Sequence, residues 1–216
     1  MNPQVVTIGL GYIGLPTSAL IASKSTHVLG VDINQKVVDT VNDGKIHIVE
    51  PDLDIIVSKA VNDGFFKAST TAVAADVFLI VVPTPFKGNH EPDISYVESA
   101  TKEILPLLKK GDLYIIESTS PIGTTEKMQD LIFQSRPELK GEMYIAYCPE
   151  RVLPGNVMHE LVYNDRVIGG IDEASTQKAI SFYRNYVKGE LHPTNARTAE
   201  MCKLVENSSR DVQIAF

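Results

Sequence analysis

The sequence predicts an α/β fold built on a doubly wound parallel sheet. Short runs of β-branched and apolar residues alternate with helical stretches from the first residues onward, which is typical of strand–helix–strand units with right-handed crossovers. The run Val77–Val82 is apolar without interruption, as expected of a parallel strand that is covered on both faces. A length of 216 residues fits one large domain, or one domain and part of another.

Each predicted element follows from its local pattern. The predicted strands are short apolar runs, at residues 5–8, 27–31, 77–82, 113–116 and 143–147, with a weaker run at 166–168. The predicted helices occupy stretches between them, at residues 13–23, 34–42, 95–108 and 124–134. We therefore predict one main domain over residues 1–193.

The last segment differs from the rest. Residues 195–216 have the pattern of a single helix, and no Gly, Pro or basic C-cap closes it before Phe216. Such a helix is expected of a chain cut short relative to a longer parent, and equally of a C-terminal helix that frays. We assign residues 194–216 to the start of a connecting helix that would lead into a missing second domain, with the frayed helix as the alternative.

Composition excludes several classes of protein. The 27 acidic and 20 basic side chains leave a net charge of −7, which argues against a nucleic-acid or anionic-membrane partner. No apolar run approaches the roughly 18–20 residues of a membrane span, and Met1–Gln4 lacks the basic start of a signal peptide. Two cysteines are too few for a disulfide framework, so we expect a cytoplasmic protein. The five histidines are scattered, and no metal is predicted.

A glycine-rich motif follows the first predicted strand. Gly9 permits a tight turn, Gly11 lets the backbone approach a pyrophosphate, and Gly14 lets the next helix pack close to the strand. The start of that helix offers free N–H groups to phosphates. Asp32, at the end of the second strand, is placed to accept hydrogen bonds from a ribose 2′-hydroxyl and would repel a 2′-phosphate. This pattern favours NAD over NADP; the alternative is a tight turn with an N-capping Asp.

Two further loops follow predicted strands at their carboxyl ends, where open α/β sheets bind ligands. They are Val82–Pro85 and Glu117–Pro121. The hydroxyls of Thr84 and Thr119 could reach the cofactor from them. Each Thr alone is more often a turn residue.

The predicted substrate side begins at Cys148–Gly155, a loop bracketed by prolines. Glu150 and Arg151 are adjacent there and suit recognition of a polar or phosphorylated ligand; the alternative is a surface ion pair of little energetic value.

The terminal helix carries a second polar group. Lys203, Asn207 and Arg210 fall within an arc of about 60° at 100° per residue. Met201, Val205 and Val212 lie on the opposite side. Pattern alone favours an amphipathic helix with a solvated polar face, although Asn207 in mid-helix favours a functional role.

Several segments that span nearly the whole chain match a known family: Gly9–Gly14, Ile46–Leu53, Val82–Val97, Glu117–Thr125, Tyr147–Gly155 and Thr198–Phe216. On these segments the chain resembles the UDP-glucose/GDP-mannose dehydrogenase family, most closely its UDP-N-acetyl-D-mannosamine branch. The resemblance implies a Rossmann fold and NAD-dependent oxidation of C6 of a UDP-sugar to the acid, with two NAD per turnover. It also implies a homodimer for a full-length form.

The resemblance also implies roles for individual residues. Lys203 would act in acid/base chemistry or steady an alkoxide, with Asn207 beside it, and Glu150 would assist the proton transfers. Substrate contacts would come from Arg151, Val152, Lys203, Asn207 and Arg210. Positions that match cofactor contacts are Tyr12, Ile13, Asp32, Thr84, Thr119 and Thr125, together with the three glycines of the motif.

One departure from the family matters. The family makes its aldehyde adduct with a cysteine thiolate in a Gly-Gly-His-Cys-type motif, and this sequence contains no such motif. Neither Cys148 nor Cys202 is expected to replace it. We therefore expect this chain to bind NAD without turnover by itself. Three alternatives stay open: a stand-alone NAD-binding module, a dehydrogenase for UDP-N-acetylglucosamine or another nucleotide sugar, and a dehydrogenase for a small hydroxy acid.

Overall fold

The structure, a computed structural model, describes residues 3–216; Met1 and Asn2, part of the segment considered above for a signal peptide, lie outside the described residues. The strands are β1 (Val5–Ile8), β2 (Val28–Val31), β3 (Phe66–Ser69), β4 (Val77–Ile80), β5 (Phe86–Lys87), β6 (Glu91–Pro92), β7 (Leu113–Ile116), β8 (Tyr144–Tyr147), β9 (Arg166–Gly170) and β10 (Leu191–Asn195). The helices are α1 (Gly14–Ala22), α2 (Gln35–Asn42), α3 (Leu53–Asn62), α4 (Ser95–Ile104), α5 (Thr124–Ser135), α6 (Val157–Tyr163), α7 (Glu173–Tyr183) and α8 (Ala196–Ala215).

The central sheet confirms the doubly wound prediction. Its order is β3-β2-β1-β4-β7-β8-β9-β10, and the six strands from β3 to β8 are parallel. The strands β5 and β6 form a separate antiparallel pair. The chain order reverses between β1 and β4, which is the switch point at which open α/β sheets bind ligands.

One strand near an edge of the sheet departs from the parallel direction. β9 pairs antiparallel with β8, through Ala146 with Gly170 and Tyr147 with Gly169, and β10 runs parallel to β9. The helix between β8 and β9 has only 7 residues, about 10 Å at 1.5 Å per residue. Because this helix is too short to return the chain to the amino end of β8, β9 starts beside the carboxyl end of β8 and runs in the opposite direction.

Both faces of the sheet are covered by helices. One core contains buried residues of α1, α2, α3, α6 and α7, and the other contains those of α4 and α5 with Ala199 of α8. The helices that follow β1 and β4 therefore lie on opposite faces. This arrangement leaves a crevice open at the carboxyl ends of the strands, where the predicted site residues gather.

The terminal helix forms as predicted, and Asn195 caps it by accepting a hydrogen bond from the Thr198 N–H at 2.9 Å. Its orientation differs from the favoured interpretation. The buried face carries Ala196, Ala199, Glu200 and Lys203, whereas the apolar side chains at the opposite face are exposed. The polar face at Lys203 is thus turned toward the body of the protein.

Candidate active site

The glycine-rich turn has the geometry that a dinucleotide phosphate needs. Gly9 has φ +98°, and a Cβ there would lie 2.4 Å from the Val81 carbonyl oxygen. A Cβ at Gly14 would lie 1.8 Å from the Gly9 carbonyl oxygen, whereas one at Gly11 would meet no atom of the described residues within 4 Å. Gly9 and Gly14 are therefore required by the fold itself. Gly11 is required only by a ligand that approaches the open space in front of it.

The start of α1 faces the same space. The helix is preceded by Ile13, an apolar residue that cannot cap its N–H groups. These N–H groups and the helix dipole favour an anion. Tyr12 is half exposed beside the turn, and Ile13 packs against the first core.

Asp32 lies where the sequence predicted it, at the end of β2. One carboxylate oxygen accepts the Leu10 N–H at 3.0 Å and the other accepts the Asn34 N–H at 2.9 Å. The side chain thus braces the glycine-rich turn, but it does not cap the next helix as the alternative interpretation expects, because the N-cap of α2 is Asn34. Each carboxylate oxygen has a second lone pair, so the same residue can also accept from ribose hydroxyls.

The two threonine-bearing loops adjoin each other. Thr84 follows β4 and Thr119 follows β7, and both side chains are half-buried. The Ser118 hydroxyl donates to the Val82 carbonyl at 2.7 Å and so joins the loops. Both threonines therefore lie at the carboxyl ends of the strands, as predicted. Their contact with a cofactor stays a prediction.

Thr125 does not fit the predicted role. Its side chain is fully buried, and its hydroxyl donates to a carboxylate oxygen of Glu200 at 2.7 Å. A buried hydroxyl with this partner cannot contact a ligand directly. The structure therefore corrects the prediction: Thr125 belongs to the support of the site.

Glu150 and Lys203 come together across the crevice. The Lys203 ammonium donates to the Glu150 carbonyl oxygen at 2.7 Å and lies 3.7 Å from its carboxylate. The Lys203 side chain is only 7% exposed. The other carboxylate oxygen of Glu150 accepts the Val152 N–H at 2.7 Å. Both charges of this pair are largely removed from water, so they interact more strongly than a pair at the surface would.

Of the remaining predicted substrate residues, Arg151 and Arg210 line an open cleft of about 1160 Å³ between the 149–153 loop and α8, whereas Val152 and Asn207 are not among its lining residues. Arg151 is exposed, and its guanidinium pairs with Glu206 of α8 at 2.6 Å, not with the adjacent Glu150. Arg210 donates to the Asn207 side-chain oxygen at 3.1 Å. Val152 is half-buried and packs against the first core.

Carboxylates hold the substrate-side loop by its backbone. Buried Glu50 accepts the Gly155 N–H at 2.9 Å and the Val157 N–H at 2.6 Å. Glu160 accepts the Leu153 N–H at 2.7 Å. The sequence drew attention to the Ile46–Leu53 segment without a role for it, and its Glu50 turns out to fix the loop that carries Glu150 and Arg151.

A buried polar cluster lies beneath the site. The Tyr183 hydroxyl donates to Glu117 at 2.5 Å, and the Arg166 guanidinium lies over the Tyr183 ring at 5.1 Å from its centroid. Burial raises the pKa of the Glu117 carboxyl. Burial also raises the pKa of the Cys148 thiol to about 11. Cys148 is therefore a protonated, inaccessible thiol at neutral pH, which agrees with the expectation that it does not act as a nucleophile.

Over residues 3–216, no helix is both long and apolar enough to cross a membrane. Within the same residues, no group of three or more His, Cys, Asp or Glu side chains is placed to hold a metal ion.

The glycine-rich cradle, Asp32 and the switch-point crevice point to a nicotinamide dinucleotide, and comparison with known proteins decides the family. The model of the UDP-glucose/GDP-mannose dehydrogenase family, NAD-binding domain, matches residues 3–187. The chain belongs to this family. The prediction of NAD as cofactor is confirmed at the level of the family.

Relatives in this family align with nearly the whole chain. UDP-N-acetyl-D-mannosamine dehydrogenase of Escherichia coli is 59% identical over 98% of the chain and 52% of that protein. NDP-N-acetyl-D-galactosaminuronic acid dehydrogenase of Ralstonia nicotianae is 52% identical with the same coverage. The structure of UDP-N-acetyl-mannosamine dehydrogenase from Staphylococcus aureus has a TM-score of 0.93 and 46% identity, over 98% of this chain and 52% of that one. The chain spans about half the length of the curated relatives it matches.

Three functional candidates were missed by sequence reasoning. Glu50, Glu200 and Glu206 each bind a partner more than fifty residues away in sequence. Only Glu200 carries a local signal: it lies three residues before Lys203 and four after Ala196, on the face of the helix that the structure buries.

Proposed function

We propose that this chain is the cofactor-binding half of a dehydrogenase that oxidises C6 of UDP-N-acetyl-D-mannosamine to the uronate, with two NAD per turnover. The observation that carries the proposal is the buried Lys203–Glu150 pair at the same sheet edge as the glycine-rich turn. The 59% identity of the chain to a UDP-N-acetyl-D-mannosamine dehydrogenase supports the choice of sugar.

NAD, when bound, accepts a hydride from the sugar carbon. The chain's own contribution to that binding is to hold and select the dinucleotide. Gly11 leaves room for the diphosphate, the start of α1 offers N–H groups to it, and Asp32 favours a ribose with a free 2′-hydroxyl.

Lys203 and Glu150 supply the proton chemistry. An ammonium group has three donors, of which one is used for the Glu150 carbonyl oxygen. The remaining donors can stabilise the oxygen of C6 as it loses its proton, because a positive charge in a site sheltered from water stabilises developing negative charge strongly. The Glu150 carboxylate, only 3.7 Å away, balances that charge and can accept a proton. Asn207, one turn along α8, would orient the same oxygen, and Arg151, Val152 and Arg210 would contact the nucleotide sugar.

The second oxidation, from aldehyde to acid, needs a tetrahedral adduct, which the family forms with a thiolate. Cys148 is buried with its pKa raised to about 11. Cys202 is exposed but projects about 100° away from its neighbour Lys203 on the helix. We therefore propose that the 216-residue chain binds NAD without sustained turnover, and that turnover needs the second half found in the relatives.

A second candidate differs only in the sugar. The relative from Ralstonia nicotianae, 52% identical, is named for an N-acetyl-D-galactosaminuronic acid. A UDP-N-acetylhexosamine other than the mannosamine derivative, including UDP-N-acetylglucosamine, is therefore the alternative substrate. Family membership disfavours a small hydroxy acid.

Cofactor binding is tested with Asp32→Ala by calorimetry. Loss of a charge-assisted hydrogen bond costs about 1.5–3 kcal/mol, so we expect NAD affinity to fall about tenfold to a hundredfold. Asp39→Ala, which removes an exposed carboxylate from α2, is the matched control and should bind NAD as the unchanged chain does. Equal affinity of the Asp32→Ala variant would contradict the ribose assignment.

Turnover is tested by following NADH absorbance with three UDP-N-acetylhexosamines. The 216-residue chain should give no sustained signal. A chimera that continues residue 216 with the C-terminal half of the Escherichia coli relative should oxidise UDP-N-acetyl-D-mannosamine, and Lys203→Met in that chimera should abolish the activity. Sustained oxidation by the 216-residue chain, or full activity of the Lys203→Met chimera, would overturn the proposed division of labour.

A further inference from the structure

Glu200 is a fully buried carboxylate that the proposed chemistry does not use. It lies in the first half of α8 and reaches the start of α5. One oxygen accepts the Gly123 N–H at 2.6 Å. The other accepts the Thr125 N–H at 2.8 Å and the Thr125 hydroxyl at 2.7 Å. Three hydrogen bonds to one buried side chain offset the cost of removing its charge from water.

The partner of Glu200 is a helix start that cannot cap itself. Gly123 precedes α5 with φ +93° and has no side chain, so the first N–H groups of the helix need an acceptor from elsewhere. The Glu200 carboxylate supplies it from another helix and also matches the positive end of the α5 dipole. An uncharged apolar residue could fill this volume but could not hold the two helices at a fixed angle.

The same helix makes a second attachment three residues later. Lys203 lies on the same face of α8 as Glu200, and its ammonium donates to the Glu150 carbonyl oxygen at 2.7 Å. The first attachment joins α8 to the segment that follows β7, and the second joins α8 to the loop that follows β8. Glu200 therefore helps to fix the rotation of α8 about its axis, which sets where the Lys203 ammonium points, together with the Arg197–Glu126 ion pair at 2.8 Å and the buried Ala199.

We propose that Glu200, with Thr125 as its donor, is a positioning residue that sets the Lys203 ammonium against Glu150. The inference deepens the proposed function, because it rests on Lys203 being the group that serves the chemistry. A role confined to capping α5 would leave the environment of Lys203 unchanged when Glu200 is altered. The accessibility of the Lys203 amine therefore separates the two roles.

The experiment measures the rate at which each lysine is reductively methylated by formaldehyde and sodium cyanoborohydride, with mass spectrometry as the readout and without NAD or sugar. In Glu200→Gln, an NH₂ group replaces one of the two carboxylate oxygens. Either Gly123 or Thr125 therefore loses its acceptor. We expect Lys203 to react about tenfold faster, a factor in the range of one lost hydrogen bond to a charged group. Lys109, which pairs with Asp76 near the amino ends of β4 and β7, at the far end of the strands from the site, should react at an unchanged rate.

Two further variants keep the test decisive. Thr125→Val removes only the hydroxyl donor and should also speed methylation of Lys203, whereas Thr125→Ser keeps the hydroxyl and should restore protection. Asp211→Asn makes the same carboxylate-to-amide change at an exposed position of α8 and should have no effect.

An unchanged Lys203 rate in folded Glu200→Gln, or equal rates in Thr125→Val and Thr125→Ser, would overturn the proposal. If Glu200→Gln does not fold, the two Thr125 variants decide alone. Because no substrate is present, failure of this test is distinguishable from failure of the proposed function, which the NADH assay of the chimera reports.

Discussion

At the scale of single residues, Gly11 and Gly14 are glycines for different reasons. A Cβ at Gly14 would overlap the Gly9 carbonyl oxygen, a backbone atom that cannot move away, whereas a Cβ at Gly11 would meet open space. We expect Gly14→Ala to destabilise the fold by about 2 kcal/mol or more. Gly11→Ala should change stability by less than about 1 kcal/mol but weaken NAD binding at least about tenfold, because its methyl group takes the place of a phosphate oxygen.

Urea unfolding and calorimetry measure the two effects separately. The pair serves as its own control, since both variants add one methyl group within the same turn. Unimpaired NAD binding by Gly11→Ala would show that the dinucleotide lies elsewhere.

The two cysteines also differ at this scale. Cys148 is buried and its pKa is raised to about 11 by that burial, whereas Cys202 is exposed on α8. Because the thiolate is the reactive form, iodoacetamide at pH 8 should modify Cys202 within minutes and leave Cys148 unmodified until the protein is denatured. Mass spectrometry of tryptic peptides measures the extent of modification at each cysteine. Cys202→Ser should then show almost no labelling; rapid modification of native Cys148 would contradict its assignment as a buried, protonated thiol.

At the scale of elements, buried and edge strands differed in how well they could be predicted. The interior strands β1, β4, β7 and β8 are continuous apolar runs, and the sequence located them within one or two residues. β3 and β10 were missed because they are edge strands with polar residues, and β10 contains Pro193, which an edge strand tolerates. The helices α3, α6 and α7 were missed as well; α6 has only 7 residues, and the buried face of α7 includes Ser175 and Thr176, which weakens its apolar pattern.

A prediction at this scale concerns the loop that Glu50 holds at the start of α6. Glu50→Gln replaces one acceptor oxygen by an NH₂ group, which leaves either the Gly155 N–H or the buried Val157 N–H without its acceptor. Such a loss costs about 1–3 kcal/mol. We expect hydrogen exchange of these two amides to accelerate about tenfold or more, while the β1 amides stay protected.

Glu103→Gln, at an exposed position of α4, is the matched control and should exchange as the unchanged chain does. Unaltered exchange at Gly155 and Val157 in Glu50→Gln would mean that the loop does not depend on this carboxylate.

At the scale of the whole molecule, α8 is the element that lacks cover. Met201, Val205 and Val212 are 48%, 52% and 68% exposed, and the exposed Phe216 continues the same apolar face. Exposed apolar patches of this kind favour association. We therefore expect the 216-residue chain to self-associate through α8 as its concentration rises.

Sedimentation velocity over a range of concentrations tests this expectation. Val205→Gln combined with Val212→Gln should shift the chain toward monomer, whereas Val73→Gln, which alters an exposed valine in the segment between β3 and β4, should not. A chain that stays monomeric at every concentration would rule out association through α8.

The sequence by itself determined the parallel core of the sheet, the glycine-rich turn and the place of Asp32. Each of these depends on contiguous residues, whose apolar runs and backbone freedom are visible locally. Only the tertiary structure decided the direction of β9, the partner of Arg151 and the support role of Thr125. These features depend on contacts between distant segments, such as Glu50 with Val157 at a separation of 107 residues and Thr125 with Glu200 at 75. No local pattern encodes which buried carboxylate meets which backbone N–H, because that pairing is set by how the helices pack on the finished sheet.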